Sequence, residues 1–186
     1  MAQVAAQAGL AKGTLYIYFK TKEELFLAIT EEELLDWYEE LDDALRRGPK
    51  SPRPEELARL VAASLGSRPR LPRLLGILHT ALEHNVEQLT ALRFNQFLAT
   101  RLLRTGRLLE RRLPRLEEGQ GAPLMLRIQA LILGLGQLSD RSPVVKKILD
   151  APGLHLFRVD FLVELESILK DLFLGISLSP TPGTEG

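Results

Sequence analysis

Apolar side chains recur along most of this chain at the three-to-four-residue step that places them on one face of a helix, and breakers interrupt the pattern repeatedly. A first short segment carries Val4, Ala5 and Ala8 and stops at Gly9, a residue able to take the left-handed conformation that closes a helix. A second carries Leu15 and Phe19, four apart and therefore on one face. Thr21-Lys-Glu-Glu24 reads as a capping box, with the Thr21 hydroxyl and the Glu24 carboxylate each satisfying a free amide at a helix start. The helix it opens is long. Leu25, Phe26, Ile29, Leu34, Trp37, Tyr38, Leu41 and Leu45 recur at steps of three to five, leaving Glu31, Glu32, Asp36, Glu39, Glu40 and Asp43 mainly for water.

Gly48 to Pro54 contains three prolines, which lack the amide donor and crowd the preceding turn, so this stretch predicts a connection. A helix from Glu55 to Leu65 follows. Another begins at Leu71 or Leu74 and runs to His84, with Asn85 as a break. Val86 to Leu113 predicts a longer helix, and Pro123 to Leu138 an almost wholly apolar one. Ser142 to Gly153 reads as a connection holding one helical turn. Leu154 to Ile176 reads as the last helix, and its apolar arc is wide enough to need cover on more than one side.

Composition agrees with helices throughout. Leucine fills 40 positions and the β-branched valine and isoleucine only 15 together, a balance that suits helices and disfavours pleated sheet. The expected class is all-α. Its parts would be an N-terminal helix-turn-helix over 1–25, a larger helical domain over 26–176 and a disordered tail over 177–186. At 186 residues the chain can bury a real core without staples. It has no cysteine, which excludes disulfides, thiolate metal sites and cysteine nucleophiles. No apolar run reaches membrane-spanning length and no secretory signal opens the chain, so the expectation is a cytoplasmic protein without a membrane partner.

Lysine plus arginine and aspartate plus glutamate number 24 each, so no polyanionic partner is implied by the sum. Locally the balance differs. Residues 1–25 hold Lys12, Lys20 and Lys22 and no acid before Glu23. Small residues on the first short helix permit a close crossing, and the second short helix turns Lys12, Thr14, Tyr16, Ile17 and Tyr18 away from its Leu15–Phe19 face. These side chains can reach phosphates or base edges in a major groove. Lys22, at the first position of a capped helix, adds charge beside outward-pointing amides.

The run Val4-Ala-Ala-Gln-Ala-Gly-Leu-Ala-Lys-Gly-Thr-Leu-Tyr-Ile-Tyr-Phe-Lys-Thr-Lys-Glu-Glu-Leu25 closely resembles the DNA-binding signature of the TetR family of bacterial transcriptional regulators. The resemblance implies that Lys12, Gly13, Thr14, Tyr16, Ile17, Tyr18 and Lys22 face DNA, while Leu15, Phe19 and Leu25 are core. It also implies a homodimer on a palindromic operator and a small-molecule effector in the larger domain. The family has a further helix before this point, so the chain is expected to begin inside or just before the second one. Ala11 stands where the family often has a capping serine or threonine, a loss of about 1 kcal/mol.

In that family the last two long helices pair as a four-helix bundle, which here points to Leu131, Leu135, Leu138, Phe161, Leu165, Ile168 and Leu172 as the dimer interface. Candidates for an effector pocket are Leu78, Leu82, Phe94, Phe97, Ile128 and Gln129, a lining suited to a largely apolar molecule. His79, His84 and His155 have no ligand spacing, so no metal is expected. Gly134-Leu-Gly136 lacks the third glycine and the strand of a phosphate loop, and reads as close helix packing. The arginines at 93, 101, 104, 107, 111, 112 and 115 read as a solvated face. No catalytic or cofactor motif is visible, so neither an enzyme nor a cofactor is expected. A second reading remains open, a helical ligand-binding or protein-interaction module that has lost DNA binding along with the first helix.

Overall fold

Thr21 starts the long helix as its sequence requires. Its hydroxyl accepts the Glu24 amide at 3.1 Å, and the Glu24 carboxylate accepts the Lys20 amide at 2.8 Å. The computed structural model describes residues 1–9, 11–83 and 86–179, the side chains of Lys12 and of 79–83 excepted. All regular structure among the described residues is helical: α1 Ala2–Gln7, α2 Lys12–Tyr18, α3 Lys22–Arg47, α4 Pro54–Ala63, α5 Leu71–Glu83, α6 Gln88–Glu110, α7 Gly121–Ser139, α8 Pro143–Ile148 and α9 Phe161–Leu178. His84, the expected break at Asn85 and residues 180–186 of the expected tail lie outside the described residues, whereas residues 177 and 178, expected in that disordered tail, belong to the last turn of α9.

Boundaries follow local chemistry. Gly9 has φ +67° after α1. Pro54 occupies the first turn of α4, where its missing amide costs nothing. The helix expected over 154–176 is shorter at its start than the apolar pattern implies. Residues 155–157 form a separate 3₁₀ turn after Gly153 (φ +81°), and α9 begins only where the Asp160 carboxylate accepts the Val163 amide at 3.2 Å. An acidic cap outweighed the continuity of the apolar stripe.

The core is organised around α3, whose inner face buries Leu27, Thr30, Leu34, Trp37, Tyr38, Leu41, Asp42 and Leu45. Three polar ties run from that face. Trp37 Nε1 donates to Ser64 Oγ just after α4 at 2.9 Å, Gln129 Nε2 on α7 donates to the Tyr38 hydroxyl at 2.7 Å, and Thr105 Oγ1 on α6 donates to Asp42 Oδ1 at 2.6 Å. Arg104 Nε lies 2.7 Å from Asp42 Oδ2, so the buried carboxylate is paired as well as bonded. Burial pushes the Tyr38 hydroxyl well above the ordinary tyrosine range, which keeps it protonated. Opposite this layer α4 packs on α9, and α7 packs on α5, α6 and α9.

By length and composition α7 could cross a membrane, but eight of its residues are buried among its helical neighbours. Two glycine contacts set its position. A Cβ on Gly106 of α6 would lie 2.4 Å from the Ala122 amide nitrogen, and one on Gly121 would lie 2.1 Å from the Gly106 carbonyl oxygen. Farther along, a Cβ on Gly136 would lie 2.5 Å from Pro72 Cβ, so Gly136 serves close packing as expected, whereas Gly134 faces open space.

Two of the expected interface leucines face inward. Leu165 is fully buried and Leu135 nearly so, because the wide apolar arcs of α7 and α9 turn these positions toward the chain's own core. Leu131, Phe161, Ile168 and Leu172 are half-buried at the core's edge, and Leu138 is exposed.

Substituting Gly106→Ala should force the two backbones apart and lower stability by about 1–3 kcal/mol, the usual range for overpacking. Chemical denaturation checks it, and an unchanged midpoint would contradict the backbone contact. Asp42→Ala should destabilise more than Asp43→Ala, since only the former leaves a buried threonine hydroxyl unpaired.

Candidate nucleic-acid interface and effector cavity

Residues 1–25 form two short helices that pack mainly on each other. Their shared core is small, with Ala5 and Leu15 buried and Phe19 half-buried. Val4 and Ala8, expected on a covered face, are exposed, because α1 is only six residues long and turns Ala5 alone onto α2. Ala11 has the extended backbone of an N-cap but no side chain to supply the bond, as expected.

On α2 the expected reading face is open. Ile17 is 79% and Tyr18 75% exposed, Tyr16 is less so, and Thr14 is half-buried. Gly13 is exposed with no atom within 4 Å of where a Cβ would stand, so a sugar-phosphate backbone can approach the helix closely. The Lys12 backbone is helical and its side chain lies outside the described residues. Tyr16, Ile17 and Tyr18 therefore form an apolar and hydroxylic surface rather than a purely charged one.

At the start of α3 the charges are sorted. The Lys22 side chain is 78% exposed, 3.7 Å from a Glu23 carboxylate that is itself largely covered. The Glu24 carboxylate is occupied by the Lys20 amide. Of the charged groups at this helix start, Lys22 is the most exposed, although its ammonium is paired with Glu23. Leu25 and Phe26 are half-buried behind it.

Lys20 was not singled out by the sequence. Its ammonium lies 2.6 Å from Glu87, the residue capping α6, and that carboxylate, by its hydrogen bond first and its charge second, holds the lysine above its ordinary pKa. This pair joins the short helices to the larger domain. Nothing in the local pattern signals it, because its partner is 67 residues away.

The pocket candidates separate into filled and open positions. Phe94 and Ile128 are packed in the core, and Phe97 makes a tilted ring contact with Phe94 and has Arg101 over its ring at 5.5 Å. The Leu82 side chain lies outside the described residues. Leu78 and Gln129 do line one, of about 300 Å³, together with Leu75, Leu98, Leu126, Ala130 and Leu133. Gln129 is its one polar side chain among the described residues, and the same amide holds Tyr38 on α3.

The arginine-rich face of α6 is partly engaged. Arg101 pairs with Glu39, Arg104 with Asp42, and Arg112 donates to the Pro49 and Arg46 carbonyls at the end of α3. Among the described residues no group of three metal-ligating side chains comes together.

Comparison with known proteins gives two profile matches and a similar protein. Residues 1–29 match the profile described as "Bacterial regulatory proteins, tetR family", and residues 31–180 match "Tetracyclin repressor-like, C-terminal domain". A protein of Bacillus subtilis (strain 168) named "Fatty acid metabolism regulator protein" is 31% identical over 62 residues, a stretch covering 33% of this chain and 31% of that protein. The match spans about a third of that relative's length, and with the two profiles together spanning both helical regions, the chain belongs to the TetR family of bacterial regulatory proteins.

Proposed function

We propose that this protein is a cytoplasmic repressor that binds a palindromic operator as a homodimer and releases it when a largely apolar small molecule enters the cavity beside Gln129. The observation that carries the reading is the unfilled reading face of α2, with Ile17 and Tyr18 turned into solvent beside the Lys22 cation. An isoleucine held out of a core is an expensive residue to leave in water unless a partner covers it, and a thymine methyl is such a partner.

A homodimer would close over the outer sides of α7 and α9. Leu131 and Leu138 on α7, with Phe161, Ile168 and Leu172 on α9, are the expected interface residues that retain exposed surface. Gly134 and Gly175, on the same two helices, have nothing within 4 Å of an added Cβ, which leaves room for a partner helix to approach closely. Two-fold symmetry then sets two α2 helices against successive major grooves.

Effector and operator would be coupled through α3. A molecule in the cavity meets the Gln129 amide, Gln129 holds Tyr38, and α3 runs without interruption from Tyr38 back to Thr21. Any effector that displaces Gln129 biases the position of the whole helix, and ligand and DNA oppose each other reciprocally. The lining predicts a hydrocarbon-rich effector with one polar group, which also suits the fatty acid metabolism in the relative's name.

A mobility-shift titration on the DNA upstream of the protein's own gene tests the reading, with salt-sensitive, sequence-specific retention expected. Lys22→Ala should weaken operator and unrelated duplex by a similar factor and reduce the salt slope by about one. Ile17→Ala should instead lower discrimination between them and leave the slope unchanged. Equal effects from the two substitutions would defeat the assignment of base reading to α2. For the coupling, Gln129→Leu should cost about 1–3 kcal/mol by orphaning the Tyr38 hydroxyl, and adding Tyr38→Phe should restore much of it. Strict additivity of the two would show that the bond does not join α3 to α7.

A further inference from the structure

A second cavity lies away from both the reading face and Gln129. Here α8 and the 3₁₀ turn fold back on the C-terminal end of α7 and enclose about 350 Å³, toward the lower end of the roughly 300–1,000 Å³ of small-molecule sites. Leu149, Val159 and Phe157 supply its apolar wall, and Phe157 remains 53% exposed. Arg141, Lys146 and Lys147 supply its charge.

These cations are not neutralised among the described residues. Asp150, the one carboxylate on the wall, is held by Arg158. The Lys146 and Lys147 ammonium groups have no hydrogen-bond or ion-pair partner among the described residues. Arg141 uses Nε on the Leu138 carbonyl at 2.9 Å, which leaves its terminal nitrogens for another acceptor. Three cations around one opening repel one another, and an entering anion relieves that repulsion.

Charge alone does not describe the site. A bare inorganic anion would leave the Phe157 ring and its aliphatic neighbours wet, and a neutral hydrocarbon would leave the cations uncompensated. A molecule carrying both groups satisfies both walls, with the apolar contribution near 25 cal/mol for each Å² covered. We propose that this groove binds a small amphipathic anion, a carboxylate or phosphate head on a short hydrocarbon chain. The site is separate from the cavity at Gln129, with which it shares no lining residue. Leu138 lines this groove and is also one of the residues assigned to the dimer face, so the two adjoin at that side chain.

Isothermal titration of the full chain with octyl phosphate, octanoate, octanol and inorganic phosphate tests this, all below micelle-forming concentrations. At least one octyl anion should saturate one site per chain, and the tighter of the two identifies the head group. Lys146→Gln/Lys147→Gln should weaken it at least tenfold, and Lys146→Arg/Lys147→Arg should bind within about threefold of the unmodified chain. Both pairs are exposed and unbonded, so folding should persist in each. Leu98→Trp, which obstructs the other cavity, should leave the affinity within twofold. Octanol binding as tightly as the anions, inorganic phosphate matching octyl phosphate, or unchanged affinity in the glutamine pair would overturn the proposal. So would the absence of saturation by either octyl anion, or loss of binding in Leu98→Trp.

Discussion

The buried inner face of α3 is the constraint on which the rest of the molecule depends. Hydrophobic burial alone would allow a leucine-rich helix to slide or rotate among near-equivalent seats. Trp37, Tyr38 and Asp42 remove that freedom, because each must meet one particular partner, after α4, on α7 and on α6 respectively. A shift of one turn would leave three buried polar groups unpaired at about 1–3 kcal/mol each, a sum comparable to the whole stability of many domains. The helix is therefore held in one register, and a displacement at any of the three partners is felt along its length. Its 26 residues span roughly 39 Å at the helical rise of 1.5 Å per residue.

The two short helices beyond Thr21 are held quite differently. Ala5 and Leu15 bury little area, and the link to the larger domain runs through the extended stretch after α2 and the exposed Lys20–Glu87 pair. An exposed ion pair contributes little on its own. Orientation of the reading face is consequently set by where α3 begins rather than by a broad interface. That arrangement suits a device whose output is the placement of a helix on DNA, since a small change of angle at Thr21 is carried directly to Tyr18.

Helix number and most boundaries were legible in the sequence because the prolines, Gly9, Thr21 and the polar loops act locally, and the capping box was read with both its bonds. The exposed side of α2 was legible for the same reason, since outward and inward positions on a seven-residue helix follow from periodicity and Leu15. The faces of α7 and α9 were not. Apolar residues nearly surround both helices, so period alone could not distinguish Leu165, which is sealed inside, from Leu138, which is exposed. The Asp42–Thr105 and Tyr38–Gln129 bonds were equally hidden, their partners being 63 and 91 residues apart. Phe94 and Ile128 looked like pocket walls for a related reason: a lining residue and a filled core residue have the same sequence character until packing is known.

Charge shows how a neutral total can conceal a division of labour. The acids along α3 face Arg68 and the α6 arginines, with Glu40 at 3.0 Å and Asp36 at 3.8 Å from Arg68, and Glu39 at 3.8 Å from Arg101. Cations engaged in this way offer less to a phosphate backbone, because binding DNA there would mean giving up a partner already in place and bringing the neighbouring carboxylates close to it. Lys22 also has a carboxylate nearby, Glu23 at 3.7 Å, but that acid is largely covered while the lysine side chain is 78% exposed, and Glu24 accepts the Lys20 amide. The acidic stretch of α3 therefore acts on recognition without touching DNA. By occupying Arg68, Arg101 and Arg104, it lowers the positive charge that this part of the larger domain offers to a polyanion.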